Sequence, residues 1–168
     1  MAGVRFLPLL LLALLVSGAC LPSGDDDTLA PGELPKCTWA QVRRVSDGDT
    51  IVVDYEGREE RVRYIGIDTP EISTSGGWPE PFGELAAKRN EELIGRGRVC
   101  LERDITERDR YGRLLRYVWN DEGTLINEVL LREGLARVTT YPPDVKYVES
   151  RYVPAQREAE AARRGIWQ

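Results

Sequence analysis

The sequence predicts an α+β domain that is mainly β: a small curled barrel of five strands with about three helices. Three observations point to it. Extended segments rich in Val, Ile and Tyr are bounded by Gly-containing turns. Their order is three strands, a helix, two strands, then helices, which describes an OB-fold barrel. About 130 residues remain after the N-terminal leader and the polar stretch that follows it, one domain's worth, and 4 Trp and 7 Tyr with many aliphatic residues suffice for one core.

"CTWAQVRRVS", 37–46, alternates in part and reads as the first strand. "TIVVDYEGREERVRYIGID", 50–68, reads as two strands around a turn at Gly57. Val62 and Tyr64 share one parity, Ile65 and Ile67 the other, which suits a curved barrel strand better than a flat half-exposed one. "ISTSGGWPEPFG", 72–83, is a loop whose Trp78 and Phe82 either stack on bases or pack inward. "ELAAKRNEELI", 84–94, has helical spacing at Leu85, Lys88 and Glu92, and Gly95 and Gly97 end it. "VCLERDIT", 99–106, and "RLLRYVWN", 113–120, are strands joined by the polar "ERDRYG". Thr124 is expected to cap a helix over 125–133 that stops at Gly134. "LARVTT", 135–140, is short and extended, and "PPD" interrupts. Residues 145–165 are mostly helical, with Pro154 kinking or restarting the helix.

The first twenty residues lie outside this domain. Arg5 precedes "LPLLLLALLVSGA", an apolar run of signal-peptide length, shorter than a comfortable membrane span. The run ends in "SGAC", which resembles a bacterial lipoprotein cleavage site with Cys20 as the lipidated residue. Plain secretion and an uncleaved helix are the alternatives. Residues 21–36 are rich in Pro, Gly and Asp and read as a flexible tether, leaving 37–168 as the domain. The protein is thus expected outside the cytoplasm, either secreted or held on the membrane through the lipid alone, as a monomer.

Composition removes several chemistries. With no His, imidazole acid–base catalysis, Ser-His-Asp triads and His-ligated metals are all excluded. The net charge of −5 gives no global basic footprint, so any phosphate binding is local and salt-sensitive. Apart from Cys20 only Cys37 and Cys100 remain. In an exported chain they are expected to pair, stabilising the fold by about 4 kcal/mol in the chain-entropy view; two buried thiols are the alternative.

Candidate chemistry sits in "SDGDT", 46–50, and "IDTPE", 67–71. With Gly57 in the turn, Asp49 and Asp68 fall toward the far end of one hairpin, and Glu71 follows three residues on. Carboxylates packed together repel unless a hard cation resolves the conflict, and oxygen ligands suit calcium. Thr69 offers a carbonyl or hydroxyl to such an ion. Arg63 and Arg113 add guanidinium forks that bind phosphate oxygens. Each motif alone is more often structural, a common turn or a surface ion pair. Together they form a set for phosphodiester hydrolysis.

"DGDT" (47–50), "VRYIGIDTPE" (62–71) and "DRYGR" (109–113) resemble the signature stretches of the staphylococcal nuclease (thermonuclease) family, and "LLREGLARV" and "AEAARRGIW" are similar to its helical parts. The resemblance covers roughly 38–167. It implies an OB-fold, calcium-dependent nuclease that cuts DNA and RNA on the 5′-oxygen side and leaves 3′-phosphate ends. By motif it implies that Asp49, Asp68 and the Thr69 carbonyl bind calcium, that Arg63 and Arg113 contact the scissile phosphate, and that Glu71 is the general base. Tyr111 and Tyr141 would contact the nucleotide, although only Tyr141 stands where relatives often carry a tyrosine pair. The rival readings are a non-catalytic OB module that binds nucleic acid and a calcium-stabilised surface module.

Overall fold

The computed structural model describes residues 34–73 and 77–168, together with Gly3. The leader, Cys20 and most of the tether lie outside the described residues.

Five strands close into a barrel in the order β1-β2-β3-β6-β5. They are β1 (Thr38–Asp47), β2 (Thr50–Tyr55), β3 (Arg58–Tyr64), β5 (Arg98–Glu102) and β6 (Leu114–Trp119), with β4 (Ile67–Asp68) and β7 (Arg137–Val138) forming a separate antiparallel pair. Four seams of the barrel are antiparallel; β3 and β6 run parallel, with Val62 opposite Leu114. The long β1 shifts register between Val42 and Arg44 and again between Val45 and Asp47. Such irregularities coil a strand, which lets β1 pair with β2 at one end and β5 at the other and close the sheet. Glu56 and Gly57, both at positive φ, make the tight β2–β3 turn the sequence predicts.

The core is built from Ile51, Val53, Val62, Tyr64, Val99, Leu114, Tyr117, Val118 and Trp119 of the strands and Leu130 and Leu131 of a helix, all buried. Ile51, Val52 and Val53 are buried in succession, so both faces of β2 are covered. Cys37 and Cys100 are joined, with Cα atoms 5.5 Å apart, beside the β1–β5 seam.

Three helices support the barrel: α1 (Gly83–Ile94), α2 (Ile126–Arg132) and α3 (Val153–Ala161). The helical spacing over 84–94 is correct, but its inward face is Gly83, Ala86, Asn90 and Ile94, and Leu85 is half exposed. Buried amides tie the helices to strands. Asn90 accepts a hydrogen bond from the Tyr64 hydroxyl at 2.8 Å; Asn127 accepts one from the Val118 amide and donates one to the Ile65 carbonyl, both at 3.0 Å.

The structure corrects two local expectations and bears out a third. Thr124 does not cap α2. Leu125 holds that position, and the Thr124 amide instead donates to the Asn120 side chain at 2.8 Å to close a turn. The fourth predicted strand stops at Glu102 because Asp144 captures the amides of Ile105 and Thr106 at 3.0 and 2.8 Å. The last helical stretch is divided at Pro154, as expected. Val148–Tyr152 is a π-helical turn, and α3 restarts with Pro154 in its first turn, where a missing N–H costs nothing.

Gly66 joins β3 to β4 at a φ of 80°, and a Cβ there would stand 2.6 Å from the Tyr152 ring. Gly66→Ala therefore combines left-handed strain with an aromatic clash. It is expected to destabilise the fold by roughly 1–3 kcal/mol, read from urea denaturation. A loss under about 0.5 kcal/mol would mean Tyr152 moves freely.

Candidate active site on the barrel rim

The rim site is organised around Arg63. Its neighbours on β3, Val62 and Tyr64, are buried, and strand alternation turns Arg63 the other way. One guanidinium nitrogen, Nη1, is 2.6 Å from Asp49 Oδ2 and donates to the Ile67 carbonyl at 2.8 Å; Nη2 donates to Asp68 Oδ1 at 2.7 Å. A single cation thus stands between the two carboxylates. Asp49 comes from the β1–β2 turn, at the end of the hairpin opposite Gly57, as the motif spacing predicts. Asp68 comes from the β4–β7 pair outside the barrel.

Asp49 is buried and fully engaged. Its Oδ2 accepts the Thr69 amide at 2.9 Å and its Oδ1 accepts the Thr50 hydroxyl at 3.1 Å. Burial pushes the Asp49 carboxyl up to about 7; Arg63 opposes this and Asp47 adds to it. Gly48 lets the two motifs meet, since a Cβ there would stand 2.7 Å from Thr69 Oγ1.

Glu71 begins the loop to α1. The base of that loop is closed reciprocally: the Glu71 amide donates to Glu80 Oε2 at 3.1 Å and the Glu80 amide to the Glu71 carbonyl at 2.9 Å. Burial raises the Glu71 carboxyl above its ordinary value, Asp47, Asp68 and Glu80 raise it further, and Arg63 lowers it. Glu71 therefore shares one electrostatic environment with Arg63 and the two aspartates.

Arg63 and Arg113 line one cleft of about 620 Å³, along with Tyr111, Tyr141, Arg108 and Arg110. This gathers four guanidinium groups on one surface of a net-acidic chain, the local basic patch that composition alone does not reveal. Tyr111 and Tyr141 are 65% and 74% exposed, so their rings are available at the cleft mouth. The guanidinium carbons of Arg110 and Arg113 lie 4.7 and 5.5 Å from the centroid of the Tyr111 ring. Of the two loop aromatics, Phe82 packs partly against the core, whereas Trp78 is 81% exposed.

Several site residues escape sequence reasoning. Asp47 was legible only as part of a turn, yet it accepts the Asp49 amide at 3.1 Å and acts electrostatically on both Asp49 and Glu71. Asp109 holds the "DRYGR" loop together. Its Oδ1 takes the amides of Tyr111 and Arg113 at 2.9 and 3.0 Å, and its Oδ2 takes Arg113 Nε at 2.6 Å. Asp144 anchors the 105–106 backbone on the far wall of the cleft. An Asp two residues before a Tyr and four before an Arg, at a Gly turn, was the available signal for Asp109.

Burial raises the Asp109 carboxyl, but the bonds from Arg113 and the two amides outweigh it and leave it below its ordinary value. A depressed folded-state value means the loop's stabilisation is complete above the ordinary carboxylate range and is lost as pH falls through that depressed value. The Arg113 Nε proton should stay protected from exchange through mildly acidic pH and lose protection only below that range. Loss of protection already near pH 5 would show that Asp109 does not hold Arg113.

The donor chemistry fits a hard cation. Two carboxylates already share one positively charged partner, and the Thr69 backbone lies against one of them. Among the described residues no three acidic side chains form a cage by themselves, so solvent or substrate oxygens would have to complete any coordination.

A closed five-stranded barrel with guanidinium groups and carboxylates gathered at one rim defines an OB-fold protein equipped to grip an anionic ester. Residues 61–168 match the family described as Staphylococcal nuclease homologue. The chain is 46% identical over 126 residues to endonuclease YncB and, equally, to the SPbeta prophage-derived endonuclease YokF, both of Bacillus subtilis (strain 168). Each alignment takes in 74% of this chain, but 59% of YncB and 42% of YokF. It is 44% identical over 131 residues to the thermonuclease of Staphylococcus intermedius, with 76% of this chain and 74% of that protein aligned. The chain belongs to the staphylococcal nuclease family.

Proposed function

We propose that this protein is a calcium-dependent endonuclease that hydrolyses DNA and RNA on the 5′-oxygen side and leaves 3′-phosphate ends. The observation that carries this is Arg63 clamped between Asp49 and Asp68 while Arg113 faces the same cleft. Asp49, Asp68 and the Thr69 carbonyl would hold the cation, which when bound supplies Lewis-acid polarisation of a phosphoryl oxygen.

The chain's own residues divide the remaining work. Arg63 and Arg113 hold the scissile phosphate and take up the charge that develops on its oxygens. Their geometry is set beforehand by Ile67, Asp49 and Asp68 for one and by Asp109 for the other. Glu71 takes the proton of the attacking water, and a carboxyl raised by burial is a stronger base than a solvated one. Tyr111 and Tyr141 offer ring faces to a base or sugar. Export with lipidation at Cys20 belongs to the same proposal, because such a nuclease would meet nucleic acid outside the cell. Radiolabelled palmitate should enter the chain and fail to enter Cys20→Ser.

The deciding experiment incubates the full-length chain with single-stranded DNA and with RNA, in calcium or chelator, and identifies the new ends. Calcium-dependent fragments ending in 3′-phosphate are expected, and Glu71→Gln should slow their formation by about 10²–10⁴-fold. Calcium binding without any cleavage would instead favour a non-catalytic module.

A further inference from the structure

Strand β4 is a partition between two clefts. Ile67 lines the large one; Asp68, the next residue, lines a second of about 360 Å³, as the two-residue alternation of a strand requires. That volume is within the range of small-ligand sites. Pro70, Pro81, Phe82 and Ile166 give it apolar walls, and the carboxylates of Asp68 and Glu80 stand at it beside Thr69. Its one cationic group among the described lining residues is Arg137, which stands directly across the β4–β7 pair from Asp68.

Arg137 differs from three of the four arginines of the large cleft; only Arg110, which lies over Tyr111, resembles it. Arg63, Arg108 and Arg113 each have a carboxylate partner. The guanidinium of Arg137 has no hydrogen bond or ion pair among the described residues; it lies over the Trp167 ring at 5.5 Å from the centroid. An exposed arginine is ordinarily a solvated surface group. This one is backed by an indole and faces a cleft of mixed apolar and acidic lining that shares Asp68 and Thr69 with the rim site. A polymer whose phosphate is held by Arg63 and Arg113 and which runs over β4 would meet the second cleft on that strand's other side.

We infer that this second cleft binds the nucleotide on the opposite side of the scissile phosphate from the one in the large cleft, with Arg137 holding a neighbouring backbone phosphate. This rests on the nuclease reading of the same rim. The Phe82 and proline faces pack against sugar or base without reading sequence, and the guanidinium fork takes the phosphate. Strands long enough to fill both clefts are then preferred, which suits internal cleavage over trimming of dinucleotides.

The test uses the full-length chain with Glu71→Gln to suppress cutting. Binding of a fluorescein-labelled single-stranded octanucleotide and of a labelled dinucleotide is followed by anisotropy in calcium across a salt series. Adding Arg137→Gln should weaken octanucleotide binding about tenfold. It should also lower the slope of log K against log salt by about 0.7, the signature of one lost phosphate contact on a single strand. The dinucleotide should lose clearly less, and Arg137→Lys should restore most of the slope. Unchanged octanucleotide binding, or equal losses at both lengths, would overturn the subsite and leave the nuclease reading intact. Failure of the chain without Arg137→Gln to bind either oligonucleotide would overturn both. Thermal melting of each variant separates lost contact from lost packing on Trp167.

Discussion

Arg63→Gln is expected to lower kcat/KM for DNA by about 10³-fold or more and, in the same protein, to tighten calcium binding. The first effect follows from removing a preorganised donor aimed at developing phosphate charge. The second follows from position. The guanidinium is 2.6 Å from Asp49 and 2.7 Å from Asp68, so it neutralises the pair a cation would use. A divalent ion approaching those carboxylates meets a positive charge already in place. Glutamine keeps a hydrogen-bond donor for the Ile67 carbonyl and removes that charge. Without calcium the variant should melt below the unsubstituted protein, because a buried Asp49 has lost its partner. Added calcium should restore more stability to the variant, since ligand binding to the folded state is linked to folding. Calorimetric titration and single-turnover cleavage measure the two effects. Weaker calcium binding in Arg63→Gln would show that Arg63 shapes the carboxylate pair instead of competing for it.

Loss of the Cys37–Cys100 bridge should cost about 4 kcal/mol, the chain-entropy value for a closed loop of this length. The loop is 63 residues long in sequence and contains β1 to β4 and α1, hence Asp49, Arg63, Asp68 and Glu71. The bridge lies beside the β1–β5 seam, where Trp39 pairs with Cys100 and closes the barrel. In the reduced or Cys37→Ser protein the folded site should keep its geometry, and cleavage in dilute buffer should persist. The urea midpoint should fall without a loss of cooperativity. A change under about 1 kcal/mol would mean the β1–β5 ladder alone closes the barrel. Two freely alkylated thiols in the protein isolated without reductant would remove the bridge from the account altogether.

Much of the site was legible because its parts are short and local. "DGDT" and "IDTPE" each need only a turn to place their carboxylates, and the Gly57 turn brings them to one end of a hairpin. Arg63 followed from its place just before the apolar run that leads to Asp68, and Arg113 from its place at a strand start after "DRYG". What stayed hidden was pairing. Asp47 reads as a turn residue until its carboxylate is seen against Asp49 and Glu71. Asp109 and Asp144 read as surface acids until the amides they accept are known. Thr124 misled for the opposite reason: local capping preference was overruled by Asn120, which bonds the Thr124 amide in a turn of its own.

The sequence by itself determined the alternation of strands and helices, the turn positions, the lack of imidazole chemistry and the residues able to grip a phosphate. These depend on covalent chemistry and on interactions a few residues apart. Only the tertiary structure decided that β3 and β6 run parallel, that Asp68 hangs on a separate β4–β7 pair, that Arg63 stands between two carboxylates and that Arg137 has none among the described residues. Those outcomes depend on closing a coiled sheet and burying one shared core, which brings together side chains far apart in the chain. No local preference encodes which charge will face which.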